Sequence, residues 1–203
     1  MKTLEVDNIS CIKGDHELFS SFSYSFLSGH SYHVVGENGA GKTSFLKILC
    51  GIARPDSGRI TWSELDIHQN IEHYLPDLLY IGHKNAVKSE LTVIENLSFS
   101  SNLHVSKINT ELLNVIDQCE LSGYENVPCK YLSLGQTRRV AIARLFIESA
   151  SIWLLDEPIN GLDIKGVALF IQLVNKHTGN GGIVVFTSHQ LLDLKNQHQI
   201  RLV

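Results

Sequence analysis

Gly36-Glu37-Asn38-Gly39-Ala40-Gly41-Lys42-Thr43 follows an apolar pentad, Ser31-Tyr32-His33-Val34-Val35, and runs into Ser44-Phe45-Leu46-Lys47-Ile48-Leu49-Cys50. The pattern G-x-x-x-x-G-K-[ST] between a short strand and a helix is the context in which this motif binds phosphate. Glycines let successive backbone N–H groups converge on an anion, and the helix N-terminus adds its partial positive charge. On this reading Gly36, Glu37, Asn38, Gly39, Ala40 and Gly41 form the cradle. Lys42 reaches the β- and γ-phosphates, Thr43 offers a hydroxyl to Mg²⁺, and Ser44 adds a donor in the first helical turn. A glycine-rich turn that merely packs well is the competing reading, and the lysine, the threonine and the flanking elements all argue against it.

Downstream, Ile152-Trp153-Leu154-Leu155 has the pattern of a buried strand and delivers Asp156 and Glu157 at its carboxyl end, where parallel sheets place their ligands. Asp156 is expected to hold Mg²⁺ through a water, and Glu157 to polarise the attacking water as general base. Pro158 ends the strand, and the loop Asn160-Gly161-Leu162-Asp163 follows. Between these two motifs stands Leu132-Ser133-Leu134-Gly135-Gln136, ahead of a helix. Ser133 can donate a hydroxyl hydrogen, Gly135 permits close backbone approach, and the helix N-terminus points outward. Ser133, Gly135 and Gln136 thus make a second phosphate-binding surface. One nucleotide cannot easily touch both surfaces of one chain, so two chains head to tail is the expected arrangement.

The 203 residues suffice for one well-cored domain. Hydrophobic residues make up 43% and charged ones 19%, which argues against both disorder and a membrane span, and no apolar run approaches about 18 residues. The net charge of −4, without a long Lys/Arg run, weighs against a broad nucleic-acid surface. The N-terminus is acidic and alternating, unlike a signal peptide. Cys11, Cys50, Cys119 and Cys129 lack metal-ligand spacing and read as reduced thiols of a cytosolic protein.

Strands are expected over Thr3–Ser10, Ser21–Leu27, Ser31–Val35, Arg59–Trp62, Leu78–Ile81, Ser151–Leu155 and Ile183–Thr187, with an edge strand over Gln199–Val203. Helices are expected over Lys42–Cys50, Thr92–Ser98, Asn109–Cys119, Gln136–Glu148 and Ile164–His177. Strands alternating with helices predict an α/β fold with a parallel sheet. The expected whole is a P-loop NTPase (RecA-like) core with a mixed sheet, an antiparallel N-terminal part and a short inserted helical subdomain. The core covers about 1–85 and 150–203 and the insert about 86–149, in a single domain 1–203.

With these motifs in this order, the chain resembles the ATP-binding cassette family over essentially its whole length. The resemblance implies an ATPase that uses ATP and Mg²⁺ and pairs with a second cassette as a homodimer. It implies that Asn160–Asp163 crosses to the partner cassette and that His189 senses the γ-phosphate. His83 stands where the family carries a catalytic glutamine, and one ring nitrogen could accept from a water or ligate Mg²⁺. Leu134 replaces a small residue, and its side chain must point away from the phosphate. Lys13 occupies the position of the aromatic that stacks on adenine, leaving Ile12 or His16 to cover the base.

Tyr80-Ile81-Gly82-His83, the compact insert and Gly181–Gln190 resemble one group of the family, the ATP-binding subunits that serve cytochrome c maturation, often called haem exporters. That resemblance implies an integral membrane permease subunit and haem-handling membrane proteins as partners, no nucleic acid, and a peripheral location on the cytoplasmic face of the bacterial inner membrane. A partner helix is expected near His83–Glu95, touching Leu91 and Val93. The alternatives are a cassette ATPase acting on nucleic acid or ribosomes, and a binding module switched by nucleotide.

Overall fold

The computed structural model describes residues 2–100 and 110–202. Residues 1–82, 150–157 and 174–203 form one compact unit, and residues 83–149 and 158–173 form another.

The first unit holds two sheets. In one, β1 (Thr3–Lys13) and β2 (His16–Leu27) make a hairpin, and β4 (Ser57–Trp62) and β5 (Leu65–Asp66) extend it in the order β2-β1-β4-β5, with every pairing antiparallel. In the other, β6 (Leu78–Ile81), β7 (Ile152–Leu155), β8 (Ile183–Thr187), β3 (Ser31–Val35) and β9 (Gln197–Arg201) lie in the order β6-β7-β8-β3-β9, all parallel. Every residue of β7 and β8 is buried. Such strands read as unbroken apolar runs rather than alternating ones. The mixed antiparallel and parallel architecture is the one the motif order predicts.

The hairpin begins earlier than the alternation suggests. Ser20 and Ser21 interrupt the pattern, yet His16–Leu27 is one strand, because pairing with β1 overrides local preference. Ser21 takes a left-handed φ of 52° near a register shift, as bulges do. β9 lies at the sheet edge beside β3 and starts two residues before its expected position. Val203, the expected end of that strand, lies outside the described residues.

Helix α1 (Lys42–Leu49) buries Phe45, Leu46, Ile48 and Leu49. Phe45 meets Phe19 and Phe22 edge-on, with ring centroids 5.7 and 5.1 Å apart. Fully burying such a side chain contributes roughly 2–3 kcal/mol, so these rings fix the start of α1 and the loop before it against β2. A short helix, α2 (Ile71–Tyr74), precedes β6.

The second unit is helical. α3 (Val93–Ser100), α4 (Thr110–Gln118) and α5 (Leu134–Ile147) share an apolar core that includes Val93, Leu97, Ile116 and Val140. Thr92 and Glu95 form a reciprocal cap at the start of α3: Thr92 N–H donates to Glu95 Oε2 at 2.8 Å and Glu95 N–H to Thr92 Oγ1 at 3.3 Å. The buried amide of Asn96 donates to the carbonyls of Lys88 and Leu91 and accepts from Lys88 N–H, knitting the segment ahead of the helix. Of α6 (Ile164–Gly179), residues 164–173 belong to the second unit and 174–179 to the first. Asn109, the first residue of one expected helix, lies outside the described residues.

Candidate functional site

The phosphate loop connects β3 to α1. Gly41 caps α1 at φ 87°, a left-handed value a side chain resists, and a Cβ there would stand 3.0 Å from Leu18 Cβ. Glycine therefore serves both the turn and the close approach of β2. No side chain caps the amides of the first turn of α1, and that turn carries no acidic residue. Without a side-chain partner and with the helix dipole behind them, those donors suit an anion. Glu37, Asn38 and Gly39 are exposed, while Gly36, Ala40, Gly41, Lys42 and Ser44 are half-buried. The Lys42 ammonium donates to Gly36 O at 2.7 Å and Glu37 O at 3.0 Å, so its charge lies over the loop.

A continuous hydrogen-bonded chain joins this loop to the acidic strand end. Thr43 Oγ1 donates to Asp156 Oδ2 at 2.8 Å. Asp156 is 2% exposed, and its Oδ1 accepts from Thr187 Oγ1 at 2.8 Å. That same Thr187 oxygen accepts from Glu157 N–H at 2.9 Å. Glu157 takes φ 51°, a left-handed conformation uncommon for a side-chain residue and characteristic of strained functional turns. Its Oε1 lies 3.5 Å from Nε2 of His189, an exposed residue just past β8. Tyr80, on β6, has its hydroxyl pushed up to about 12 by burial and by the negative charge of Asp156, so it stays protonated as a donor.

Thr43, Asp156, Glu157 and His189 thus come together with Lys42's loop in one unit. Thr187 holds two of them and was missed in the sequence; a hydroxyl residue ending an otherwise apolar strand was the available signal. Lys13 and His16 are cross-strand partners at the tip of the β1–β2 hairpin, both exposed, as is Ile12. Leu18, two residues past His16, touches Gly41, so this tip adjoins the loop.

In the second unit, Ser133 is the N-cap of α5 in a full capping box: Gln136 N–H donates to Ser133 Oγ at 3.2 Å, and Ser133 N–H to Gln136 Oε1 at 2.9 Å. The helix begins at Leu134, inside the expected motif, because the cap satisfies its first turn. Ser133 accepts in that bond, which leaves its own hydroxyl hydrogen for a ligand. Leu134 is 73% exposed, and its side chain lies beside Gly161. A Cβ on Gly135 would stand 3.1 Å from Gly161 O, so the signature and the Asn160–Asp163 loop are in close contact. Arg139, 8% exposed, ties them further: it donates to Asp163 Oδ1 at 2.7 Å and to Cys119 O at 3.1 Å, and pairs with Glu120 at 2.7 Å. The Asp163 carboxyl is held below its usual range, first by the Gly166 N–H bond and then by Arg139. His83 is exposed at the start of this unit, directly after Gly82.

Of the two docking residues expected near His83–Glu95, Leu91 is half-buried and Val93 needs correction. Val93 is fully buried in the helical core and cannot face a partner. A cavity of roughly 310 Å³ does open in this unit, lined by Val87, Lys88, Leu97, Phe99, Arg144 and Glu148 among others. Phe99 is 64% exposed, with the Lys88 ammonium 3.5 Å from its ring centre. All four cysteines are free and buried, and burial pushes the Cys119 thiol up to about 12. No helix among the described residues is long and apolar enough to cross a membrane.

Residues 19–160 match the ABC transporter family model. The chain is 40% identical over 194 residues to the cytochrome c biogenesis ATP-binding export protein CcmA of Escherichia coli strain K12, covering 96% of this chain and 92% of that protein. The protein of the same name in Shigella sonnei is 39% identical over the same coverage. Among solved structures, a putative ABC transporter ATP-binding protein from Pyrococcus furiosus superposes with a TM-score of 0.82 at 22% identity, covering 98% of this chain and 97% of that one. A bacterial ABC transporter cassette solved as a dimer gives 0.83 at 20% identity, covering 98% and 94%. Motif order, fold and this extent of shared sequence make the chain a member of the ABC transporter family, an ABC-type ATPase cassette.

Proposed function

We propose that this single ABC ATP-binding domain, residues 1–203, is the ATP-hydrolysing subunit of a membrane transport assembly for c-type cytochrome biogenesis, of the haem-transporting class. The carrying observation is the hydrogen-bonded chain Thr43–Asp156–Thr187–Glu157 beside Lys42 and His189. Sequence likeness to CcmA supports the biological setting.

Lys42 leaves the loop carbonyls for the β- and γ-phosphates, and the uncapped α1 amides bind the same anion. Thr43 and Asp156 present hard oxygen donors 2.8 Å apart, a set that suits Mg²⁺. When bound there, the ion neutralises phosphate charge. Glu157 takes the proton of the attacking water, and His189 holds the γ-phosphate end of the site. Ser133, Gly135 and Gln136 of a second copy close the other side of the nucleotide. Hydrolysis removes the charge that joins the two surfaces, and the pair reopens. The cavity beside Phe99 receives an apolar helix from an integral membrane permease, which places the cassette on the cytoplasmic face of the inner membrane, with haem-handling proteins in the same assembly.

Co-purification from detergent-solubilised membranes tests this reading. A permease and a haem-handling protein are expected, together with ATP hydrolysis by the assembly that Lys42→Ala abolishes. Hydrolysis stimulated by DNA or RNA, with no membrane partner recovered, would refute it.

A further inference from the structure

His33 sits in the middle of β3, 2% exposed, three residues before Gly36. Its ring stacks flat on Phe186 of β8, with centroids 4.8 Å apart and planes 6° apart. Its Nε2 lies 2.9 Å from the carbonyl oxygen of Ser188. A carbonyl can only accept, so Nε2 carries the hydrogen. In the neutral ring Nδ1 is then an acceptor, and it finds no partner among the described residues. A buried polar atom left without a partner is unfavourable, and each such case in a native interior calls for a reason. The adjacent Val34, fully buried, shows what the strand takes where packing is the sole requirement.

Ser188 is the residue between β8 and His189. Its carbonyl is held by His33, and its hydroxyl accepts from Gln190 N–H at 2.9 Å. The backbone on both sides of His189 is therefore fixed, from the front by β3 and from behind by its own turn. β3 is also the strand that leads into the phosphate loop, and it pairs in register with β8, His33 opposite Phe186 and Val34 opposite Thr187.

We propose that His33 is a positioning residue for hydrolysis. Through its bond to Ser188 O it ties the strand that carries the phosphate loop to the turn that carries His189, so that the two groups facing the γ-phosphate hold a constant separation. This rests on the reading of His189 as the γ-phosphate sensor. His33 does not touch nucleotide, so its loss acts on turnover and leaves ATP affinity in place.

The test uses the membrane assembly purified with this cassette. His33→Phe keeps the aromatic face against Phe186 and removes the donor. Turnover is expected to fall about tenfold to a hundredfold, as small misplacements of catalytic groups do, with the KM for ATP within about twofold of the parent, as removal of an interaction used only in the transition state predicts. His33→Gln and His33→Met form a second pair of like shape, in which Gln alone carries a donor; Gln is expected to retain turnover and Met to lose it. This pair decides the matter should the Phe variant fold poorly. Equal rates for Gln and Met, or a Phe variant that turns over like the parent, overturn the proposal. His189→Ala separates the two ideas: if it leaves turnover intact, the sensor reading itself fails. If it abolishes turnover while the Gln and Met variants match, His33 alone loses its role. In the double variant, His33→Met should add nothing to His189→Ala, because it acts through that residue.

Discussion

Thr187→Val removes one buried oxygen and leaves the shape of the side chain almost unchanged. Two interactions go with it. The bond from Thr187 to the Asp156 carboxylate is to a charged acceptor, and such bonds contribute about 1.5–3 kcal/mol. The Glu157 N–H loses its acceptor, and an unsatisfied buried donor costs about 1–3 kcal/mol. The added methyl of valine returns roughly 1 kcal/mol of apolar burial. The net expectation is destabilisation by about 1.5–5 kcal/mol, or a fall in Tm of roughly 3–20 °C for a chain of this size. Turnover should suffer beyond the stability change, because the same N–H bond holds Glu157 at φ 51°. Released, the residue can relax to an ordinary conformation and carry its carboxylate off line, for which about a hundredfold is a reasonable scale. Thermal denaturation and ATP hydrolysis by the purified assembly measure both effects, with Thr187→Ser, which keeps the hydroxyl, as the control. A valine variant within about 1 °C of the parent and equally active refutes the view that this hydroxyl organises the site.

Glu157→Gln should bind ATP as the parent does and hydrolyse it at least about a hundredfold more slowly, since a positioned base typically supplies that much; nucleotide binding and single-turnover hydrolysis measured together check it. His177 is half-buried, its ring stacked on that of Trp153 with centroids 3.8 Å apart, and desolvation lowers its pKa from 6.5 to about 4. Its folded pKa lies below the unfolded value, so the stability it preserves is present above pH 6.5 and lost as pH falls towards 4. Between pH 7 and 5 this amounts to about 2 kcal/mol. Urea unfolding at the two pH values should show that loss, and His177→Phe should reduce it. Phe99→Asp replaces the exposed ring of the cavity in the helical unit with a charge; co-purification of a membrane permease should drop while the melting temperature of the isolated cassette hardly moves. Retention of the permease would exclude that cavity as the docking surface.

Much of the fold was legible because its signals are local. The strand–loop–helix around Gly36–Thr43 carries its own geometry: glycines where the backbone must turn, a lysine and a threonine at set offsets, and apolar residues before and after. β7 and β8 were equally plain, since a strand buried on both faces has to be apolar throughout. The first half of β2 was hidden, because Ser20 and Ser21 look like a break until β1 supplies the hydrogen bonds. Val93 as a docking residue went astray for a related reason. Val93 and Phe99 are both apolar members of one helix, and nothing in their spacing says which faces the core and which faces outward.

For the site, residue identity and chain order sufficed to single out Lys42, Thr43, Asp156, Glu157 and Ser133, since each belongs to a motif whose chemistry depends on side-chain type, while His189 came only through the family resemblance. Thr187 and His33 belong to no motif. Their importance arises from contacts between strands distant in the chain, Thr187 meeting Asp156 across 31 positions and His33 meeting Ser188 across 155. A polar side chain inside an apolar strand announces that something must satisfy it, but the partner is chosen by sheet order and register, and those exist only once the chain has folded.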